Sequence, residues 1–306
     1  MKQFVVYTVM VGGYDKVEQP LVVDERFDYV LFTDVVKTER MGVWQVRAVP
    51  YFHEDFTRYS RYPKMHPEEL FSEYAASLYI DANLQIVSRD LYDQCVAFYE
   101  QGVDWGGVKH PNPPYADCIY DHAFVVLACG LDTERTVFRW CHRLRKEGYP
   151  QNNGLYENNV IFRINNEACR QVDESWWQLY CDYSRRDQLS LFYVFWKHPS
   201  LRHELLLPED ERAVNSKWLK LSLHGNVAPK TRTVKQGFLE HARTRLRSAA
   251  NIEKRLKWNK FHYRLYGLPL PIAFAILNLW SLFAVVVYGP RIKYEAYKRH
   301  VNEKKQ

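Results

Sequence analysis

The sequence has few cysteines, and none is arranged as a metal-binding or disulfide motif. Six occur in 306 residues, without a C-x-x-C pair or a cysteine–histidine spacing typical of zinc. Since most lie in apolar surroundings, we expect buried, reduced thiols, as in cytosolic proteins. The first residues lack a charged region followed by an apolar stretch, so no signal peptide is expected. Internal repeats are also missing, which excludes a repeat array.

Positive charge is concentrated in one stretch near the C-terminus. The formal net charge is +6, and Lys230 to Arg264 carry eleven Lys or Arg against two acids, a net of +9. The remainder therefore has a net charge of −3. Such segments bind phosphate-rich partners, either nucleic acid or anionic lipid. The segment has no nucleic-acid recognition motif, and an apolar stretch follows it. We therefore expect an anionic membrane surface as its partner, and no nucleic acid.

Short apolar runs alternate with amphipathic stretches through the first two thirds of the chain. This alternation predicts an α/β fold, in which a mostly parallel sheet is flanked by helices. The predicted strands are Phe4–Thr8, Tyr29–Thr33, Trp44–Ala48, Ser77–Ile80, Trp105–Val108, Val160–Arg163 and Leu219–Leu223. The predicted helices are Asp90–Glu100, Cys118–Leu127, Asp132–Glu147, Glu167–Tyr183 and Asp187–Trp196. In such sheets, ligands bind at the carboxyl ends of strands.

The composition changes near residue 229. We predict an α/β domain over 1–228, a basic amphipathic helical segment over 229–267, and an apolar membrane-associated helix with a basic tail over 268–306. Leu268 to Tyr288 are 21 residues without charge, about 30 Å of helix, which matches a hydrocarbon core. A buried core helix is the alternative. Cations on both sides leave open whether this helix spans a membrane or lies in its plane.

Asp81 and Asn83 follow the predicted strand Ser77–Ile80, with one small residue between them. This spacing places both side chains near one ion where the strand ends in a turn. Carboxylate and amide oxygens suit hard divalent cations, so we expect Mn²⁺ or Mg²⁺, which neutralises the charge of a diphosphate leaving group. His198 and His224 are candidates for a further ligand. An ordinary turn and structural histidines are the alternatives.

Several residues have the chemistry to bind a nucleotide diphosphate. Two glycines after the first predicted strand allow the backbone to approach a ligand closely. Three cations at a spacing of three suit a diphosphate, since they could share one helix face. The candidate residues for binding a nucleotide-diphosphate donor, if the chain is a transferase, are Thr8, Gly12, Gly13, Tyr14, Asp34, Arg58, Arg61, Lys64 and Asn158. Ordinary turns and a solvated basic face are the alternatives.

Two polar stretches later in the chain have groups suited to contact a sugar, although asparagines that cap a loop are the alternative. Glu157 lies among amides in the loop 151–160, which suits hydrogen bonds to sugar hydroxyls. Asp187 and Gln188 begin a predicted helix, where the carboxylate either caps the helix or faces a reacting carbon or acceptor hydroxyl. In an enzyme, the catalytic candidates are therefore Glu157, Asp187 and Gln188.

Seven segments follow one another over about residues 4–198: VVYTVMVGGYDKV, YVLFTD, RYSRYPKMHP, EYAASLYIDANLQI, HPNPPYADCIYDHA, GLYENNVIFR and YSRRDQLSLFYVFWKH. In this order they resemble a glycosyltransferase-like family first catalogued as a domain of unknown function. That family is shared by plant proteins of pectin and mucilage synthesis and by bacterial polysaccharide-cluster proteins. The resemblance implies a GT-A-like catalytic domain, with Asp81 and Asn83 at its metal motif and Asp187 and Gln188 at its R-D-Q motif. Asn83 replaces the second carboxylate of the commoner signature, and an amide binds a divalent ion less strongly.

The resemblance implies an enzyme that moves a sugar from a nucleotide-diphosphate donor, with a UDP-sugar expected, to a glycan or lipid-linked acceptor. The expected role is surface polysaccharide synthesis. The expected location is the cytoplasmic face of a membrane, where the C-terminal segment anchors the chain. A non-catalytic membrane-bound scaffold or glycan-binding module of a polysaccharide assembly complex is the alternative.

Overall fold

The structure, a computed structural model, describes residues 3–13, 16–110, 117–222, 236–248 and 252–282, without the side chains of 252–254. The chain divides into two compact units. The sheet unit comprises 1–119 and 152–229, and the helical unit comprises 120–151 and 230–306. Residues 120–151 therefore group with the C-terminal helices. The three sequence-defined parts, divided at residues 228 and 267, stay a prediction.

The strands form on short apolar runs, which are mostly buried. They are β1 (Phe4–Met10), β2 (Phe27–Thr33), β3 (Arg40–Met41), β4 (Trp44–Ala48), β5 (Ala76–Ile80), β6 (Leu84–Ile86), β7 (Trp105–Lys109), β8 (Tyr156–Ile164), β9 (His203–Leu205) and β10 (Leu219–Leu221). Eight of them form one sheet in the order β3-β4-β2-β1-β5-β8-β7-β9, and β10 pairs with β6 in a two-stranded sheet.

The large sheet is mixed. β4, β2, β1 and β5 are parallel neighbours, and so are β7 and β9. β8 runs antiparallel to both of its neighbours, and β3 runs antiparallel to β4. The predicted α/β class is confirmed, and helices flank the sheet. The predicted parallel order holds from β4 to β5, whereas β8 reverses direction.

The helices are α1 (Phe56–Met65), α2 (Pro67–Leu70), α3 (Asp90–Glu100), α4 (Ile119–Ala128), α5 (Glu134–Lys146), α6 (Glu167–Asp182), α7 (Leu191–Lys197), α8 (Phe238–Ser248) and α9 (Ile252–Tyr266). Residues 270–282 are also helical and are called α10. Side-chain caps start three of these helices. Asp55 accepts from the N–H of Thr57 at the start of α1, and Thr133 and Asn166 cap α5 and α6 in the same way.

The core of the sheet unit lies beside its central strands. β1 is buried on both faces, with Phe4 and Val6 on one side and Val5 and Tyr7 on the other, as expected for a parallel strand covered by helices. Phe4, Val6 and Leu78 belong to one apolar cluster. Burying each large apolar side chain contributes about 1.5–3 kcal/mol, so this cluster stabilises the packing of the sheet.

The helical unit contains a buried ion cluster. Arg243 and Arg247 on α8 both pair with Glu134 at the start of α5. Arg243 also donates to Asn278 and Ser281 on α10, at 3.0 and 2.8 Å. This cluster joins α5, α8 and α10. Removing one of its charged partners would leave the other charge buried without compensation.

The basic segment and the start of the apolar segment are helical where they are described. α8 and α9 lie within the predicted basic segment, and α10 covers 270–282 of the predicted apolar helix. Residues 283–288 of that helix lie outside the described residues. Over the described ranges, no helix has both the length and the apolar character needed to cross a membrane.

Candidate functional site

Four of the segments that carry predicted site residues meet at one edge of the large sheet. β1, β2 and β5 are parallel neighbours in register, with Met10 opposite Thr33 and Tyr7 opposite Tyr79, so their carboxyl ends lie together. β8 is antiparallel to β5, which brings its first residues to the same edge. The N–H of Asp81 donates to the carbonyl of Asn159 at 2.8 Å. This edge is where open α/β sheets bind ligands.

The loop after β1 has the backbone of a close-approach turn. Gly12 and Gly13 have φ of +65° and +59°, a region that favours glycine. The N–H of Gly12 donates to the Asp34 carboxylate, which follows β2, at 2.9 Å. These three predicted donor-binding residues therefore form one small structure. Tyr14, the fourth in this region, lies outside the described residues.

Phe56 was missed by the sequence analysis and lies at this loop. A Cβ placed on Gly12 would come within 3.0 Å of its ring, so the ring lies directly against the glycine turn. The ring is 51% exposed, although α1 begins at this residue. Such an open aromatic face beside a glycine turn suits a planar ring of a ligand. Its position next to an N-cap aspartate was the available signal, but only the fold places it against Gly12.

Arg58, Arg61 and Lys64 all lie on α1, but they do not share one set of contacts. Arg58 donates to the backbone carbonyls of Tyr180 and Cys181 at 2.8 and 3.3 Å. These carbonyls lie in the last turn of α6, where a cation is favourable. Arg58 therefore holds the end of α6, whereas Arg61 and Lys64 point to a different partner.

Arg61 and Lys64 meet at Asp187. Lys64 Nζ lies 2.7 Å and Arg61 Nε 3.2 Å from the same carboxylate oxygen, Asp187 Oδ2. Lys64 and Asp187 are 2% and 3% exposed. Burial alone would raise the pKa of Asp187, but the charges of Lys64, Arg61 and Arg186 hold it well below its usual range. Asp187 is therefore an ionised carboxylate held between cations.

Arg186 adds a third cation to this group. Its Nη2 donates to the Gln188 side chain at 3.4 Å, while its buried Nε has no hydrogen-bond partner among the described residues. Burial lowers the pKa of this guanidinium, and the charge of Asp187 opposes that effect. A buried N–H without a partner costs about 1–3 kcal/mol. An anionic ligand would remove that cost.

Asp81 accepts a hydrogen bond from a side chain of β5, the strand that it follows. The hydroxyl of Tyr79 donates to Asp81 Oδ1 at 2.7 Å, and Lys64 Nζ lies 4.9 Å from the centre of the Tyr79 ring. Asp81 is half-buried. Tyr79 thus lies between the carboxylate predicted to bind a metal and the cations predicted to bind a diphosphate. Tyr79 was not singled out from the sequence, where it reads as a core residue of the strand.

Asn83 is buried, and its amide nitrogen donates to the carbonyl of Ser222 at 3.2 Å. His224, the predicted third ligand, lies outside the described residues. His198 lies elsewhere, with Nε2 3.2 Å from the hydroxyl of Ser175 on α6. Among the residues that are described, no three His, Cys, Asp or Glu side chains are grouped to hold a metal ion. Of the three predicted metal ligands, Asp81 and Asn83 are the two that the structure describes.

Glu157 and Gln188 come together at the start of β8. Gln188 Nε2 donates to the backbone carbonyl of Glu157 at 3.0 Å. The Glu157 carboxylate accepts from Asn159 at 3.2 Å and from the N–H of Ala213 at 3.4 Å. Burial raises the pKa of Glu157, and the negative charge of Asp81 adds to that shift. The three catalytic candidates therefore belong to one region, with Gln188 linking the other two.

Two buried polar side chains at this edge have no hydrogen-bond partner among the described residues. Asn158 is 1% exposed and has φ of +58°, and neither atom of its amide is paired. The hydroxyl of Thr8 is also buried and unpaired. Buried polar groups of this kind call for a specific partner, such as water or a ligand. Both residues were predicted to bind the donor.

Two solved structures with glycosyltransferase titles are similar to this chain. No family model matches the chain, and no curated protein matches it in sequence. The structure "WbbM bifunctional glycosytransferase apo structure" matches 71% of this chain at 12% identity and a TM-score of 0.39. The apo form of mouse xyloside xylosyltransferase 1 matches 67% of this chain at 13% identity and a TM-score of 0.40.

The extent of these matches differs between the two structures. This chain spans 42% of the WbbM structure and 85% of the xylosyltransferase structure. At these identities and TM-scores, the activity of this chain has to be argued from its own residues.

Proposed function

We propose that this chain is a glycosyltransferase that moves a sugar from a nucleotide-diphosphate donor, a UDP-sugar, to a glycan or lipid-linked acceptor. The observation that carries the proposal is the set of cations at the carboxyl edge of the sheet. Arg61, Lys64 and Arg186 surround one ionised carboxylate, Asp187, and the buried Nε of Arg186 has no partner among the described residues. An anion bearing two phosphates complements this group.

In this proposal, the donor lies along the carboxyl edge of the sheet, with its base at the Gly12–Gly13 turn and its sugar at Glu157. Its base contacts the Gly12–Gly13 turn and the open ring of Phe56, with Asp34 holding the turn. Its diphosphate contacts Arg61, Lys64 and Arg186. Its sugar reaches the buried amide of Asn158 and the carboxylate of Glu157. Thr8 and Asn158 then gain the partners that they lack, which favours the bound state.

The residues present fit a hard divalent cation in part. Asp81 supplies a carboxylate and Asn83 an amide oxygen, and His224 is the proposed third ligand. Mg²⁺ in proteins is commonly held by one or two carboxylates together with substrate phosphates, so this donor set suits Mn²⁺ or Mg²⁺ once a diphosphate is present. Such an ion supplies positive charge that stabilises the departing diphosphate.

The chain's own groups position the reaction. Lys64 and Arg61 donate to the negative oxygens of the leaving group, and Asp187 keeps both cations in place. Gln188 holds the first residues of β8 through the carbonyl of Glu157. Burial raises the pKa of Glu157, which makes its carboxylate a stronger base toward the proton of an acceptor hydroxyl.

The wider role also stays a proposal. We place the enzyme in the GT-A-like family named above, in surface polysaccharide synthesis at the cytoplasmic face of a membrane. The C-terminal segment anchors it there, near a lipid-linked acceptor. The basic charge of residues 230–264 supports an anionic surface as its partner.

The experiment that tests the proposal measures UDP binding by calorimetry and hydrolysis of a panel of UDP-sugars, each with and without Mn²⁺. We expect UDP binding that strengthens with Mn²⁺, and turnover of at least one donor. Asp81→Ala should lose the effect of Mn²⁺ on UDP affinity and lose turnover while keeping the fold. Asp210→Ala is the matched control, because Asp210 is an exposed carboxylate of the same unit.

A non-catalytic scaffold or glycan-binding module is the second candidate. It is favoured by the internal partners of the key carboxylates, since Asp187 is paired with Lys64 and Asp81 accepts from Tyr79. The same experiment separates the two. If the chain binds no UDP and turns over no donor of the panel, but binds glycan fragments, the result would contradict the enzyme and support the scaffold or glycan-binding module.

A further inference from the structure

α10 has one face buried in the helical unit. Ala273 and Leu277 are fully buried, and Phe274 packs against Phe138 of α5, with ring centres 5.3 Å apart. Ser281 accepts from Arg243 of α8. These positions follow a helical repeat of three to four residues. This face is therefore the one that attaches α10 to the rest of the unit.

The opposite face of α10 is apolar and exposed. Ile272, Leu279 and Leu282 lie on it at 51%, 69% and 55% exposure, and Ala275 lies between them along the same stripe. At 100° per residue, these positions point away from Ala273 and Leu277. A helix that is apolar all round is normally covered on both sides. The exposed stripe therefore calls for a partner.

α9 packs beside α10 and presents cations in the same direction. Trp258 of α9 contacts Trp280 of α10, with ring centres 4.2 Å apart, and His262 and Tyr266 face the same Phe138 as α10 does. Both helices thus place these buried side chains against α5, and their exposed faces point away from it.

The exposed face of α9 carries Lys257, Lys260 and Arg264, which are all exposed. α10 has no charged residue over 270–282. We call the combined face, made of Ile272, Leu279 and Leu282 with Lys257, Lys260 and Arg264, the outer face. It combines apolar side chains with charge of one sign.

We propose that the outer face binds the surface of an anionic lipid bilayer, with α9 and α10 lying in the plane of the interface. The apolar stripe enters the boundary between headgroups and acyl chains, and the cations contact anionic headgroups. This arrangement explains why apolar and cationic residues share one side of two packed helices. It rests on the membrane attachment stated in the proposed function and names the face that makes it. Its test is separate from sugar transfer, because vesicle binding is independent of turnover.

The test measures co-sedimentation of the full chain with vesicles of phosphatidylcholine, with and without phosphatidylglycerol. We expect binding to the anionic vesicles that high salt releases. Lys260→Gln should weaken that binding about fivefold, from about 1 kcal/mol per cation near an anionic surface. Lys220→Gln, an exposed lysine of the sheet unit, is the matched control and should bind as the natural chain does.

The apolar contribution is tested by Leu279→Asn, with Leu21→Asn as its control. Leu279 and Leu21 are 69% and 68% exposed, so the two changes remove the same kind of surface in different units. Leu279→Asn should weaken vesicle binding about tenfold, since full burial of a leucine contributes about 1.5–3 kcal/mol. Leu21→Asn should leave it unchanged. UDP binding should be the same in all four variants, which separates this result from the proposed function.

Three outcomes would overturn the inference. Equal sedimentation of Leu279→Asn and Leu21→Asn would show that the stripe does not enter the bilayer. Binding that withstands both high salt and alkaline extraction would mean that the chain is inserted across the membrane and does not lie on it. A change of oligomeric state in Leu279→Asn without vesicles, combined with unchanged vesicle binding, would assign the outer face to a second copy of the chain.

Discussion

The buried pair between Lys64 and Asp187 makes a strong prediction about stability. Asp187→Asn removes the carboxylate that both Lys64 and Arg61 contact, while Lys64 stays 2% exposed. Removing one partner of a buried ion pair typically costs about 3–5 kcal/mol, because the remaining charge has no compensation. We therefore expect the free energy of unfolding to fall by about 3 kcal/mol or more.

The assay is urea unfolding followed by tryptophan fluorescence, with the midpoint and slope compared between variants. Replacing both partners, as in Lys64→Met with Asp187→Leu, should recover much of the loss, because an apolar pair of similar volume needs no compensation. Glu209→Gln is the control, since its pair with Lys109 is exposed, and exposed pairs contribute little. A loss of unfolding free energy below about 1 kcal/mol in Asp187→Asn would contradict a buried ion pair from which water is excluded.

The same pair predicts how stability depends on pH. The pKa of Asp187 is lower in the folded chain than its unfolded value of about 3.9. A carboxylate with a lowered folded pKa stabilises the fold above its unfolded pKa, and that contribution is lost as the pH falls toward the folded value. The difference in unfolding free energy between the natural chain and Asp187→Asn should therefore be constant near neutral pH and shrink below about pH 4. A difference that instead changes between pH 6 and 8 would contradict this assignment.

Four further predictions follow from the remaining contacts. Phe56→Ala should weaken UDP binding about tenfold or more, since base–aromatic stacking contributes about 1–3 kcal/mol, while Phe52→Ala, at a ring that is even more exposed, should not; equal effects in calorimetry would exclude the stacking role. Arg186→Met should weaken binding of UDP by about tenfold but leave uridine binding unchanged, because charge-assisted hydrogen bonds contribute about 1.5–3 kcal/mol; a parallel loss of uridine binding would argue against a phosphate contact. Gly12→Ala should lower the unfolding free energy by about 1 kcal/mol or more, because alanine is strained at φ of +65° and meets the Phe56 ring; an unchanged urea midpoint would contradict it. Glu134→Gln should destabilise the helical unit by about 3 kcal/mol, because two buried arginines lose their shared carboxylate, as measured by thermal unfolding; an unchanged melting temperature would mean that this cluster is hydrated.

Local patterns predicted many elements well. α3 begins and ends at the predicted residues, Asp90–Glu100, and β1, β2, β4 and β5 fall on the predicted apolar runs. Hydrophobic periodicity predicts these elements because the side-chain repeat of a helix or strand is visible within a short stretch of sequence. The prediction of one helix over Asp187–Trp196 was wrong. A 3₁₀ turn over Asp187–Leu189 precedes α7, and the carbonyl of Asp187 accepts from Trp176 at 3.0 Å, a contact between separate elements.

The cation cluster on α1 shows a limit of reasoning from spacing. Residues three apart are neighbours on a helix, but Arg58 and Lys64 are six apart, which places them about 120° from each other around the axis at 100° per residue. One of them consequently reaches α6 and the other reaches Asp187. The interpretation of three cations on one face was too simple for this geometric reason.

By itself, the sequence determines that polar residues follow the strands that end near Thr8, Asp34 and Asp81, because apolar runs and turn residues are local features. Only the tertiary structure decides what those side chains contact. Lys64 and Asp187 lie 123 residues apart along the chain, and nothing local to either one specifies the other. Burial, pairing and the resulting charge state depend on which distant segments the fold brings to one edge, and no stretch of sequence contains that information alone.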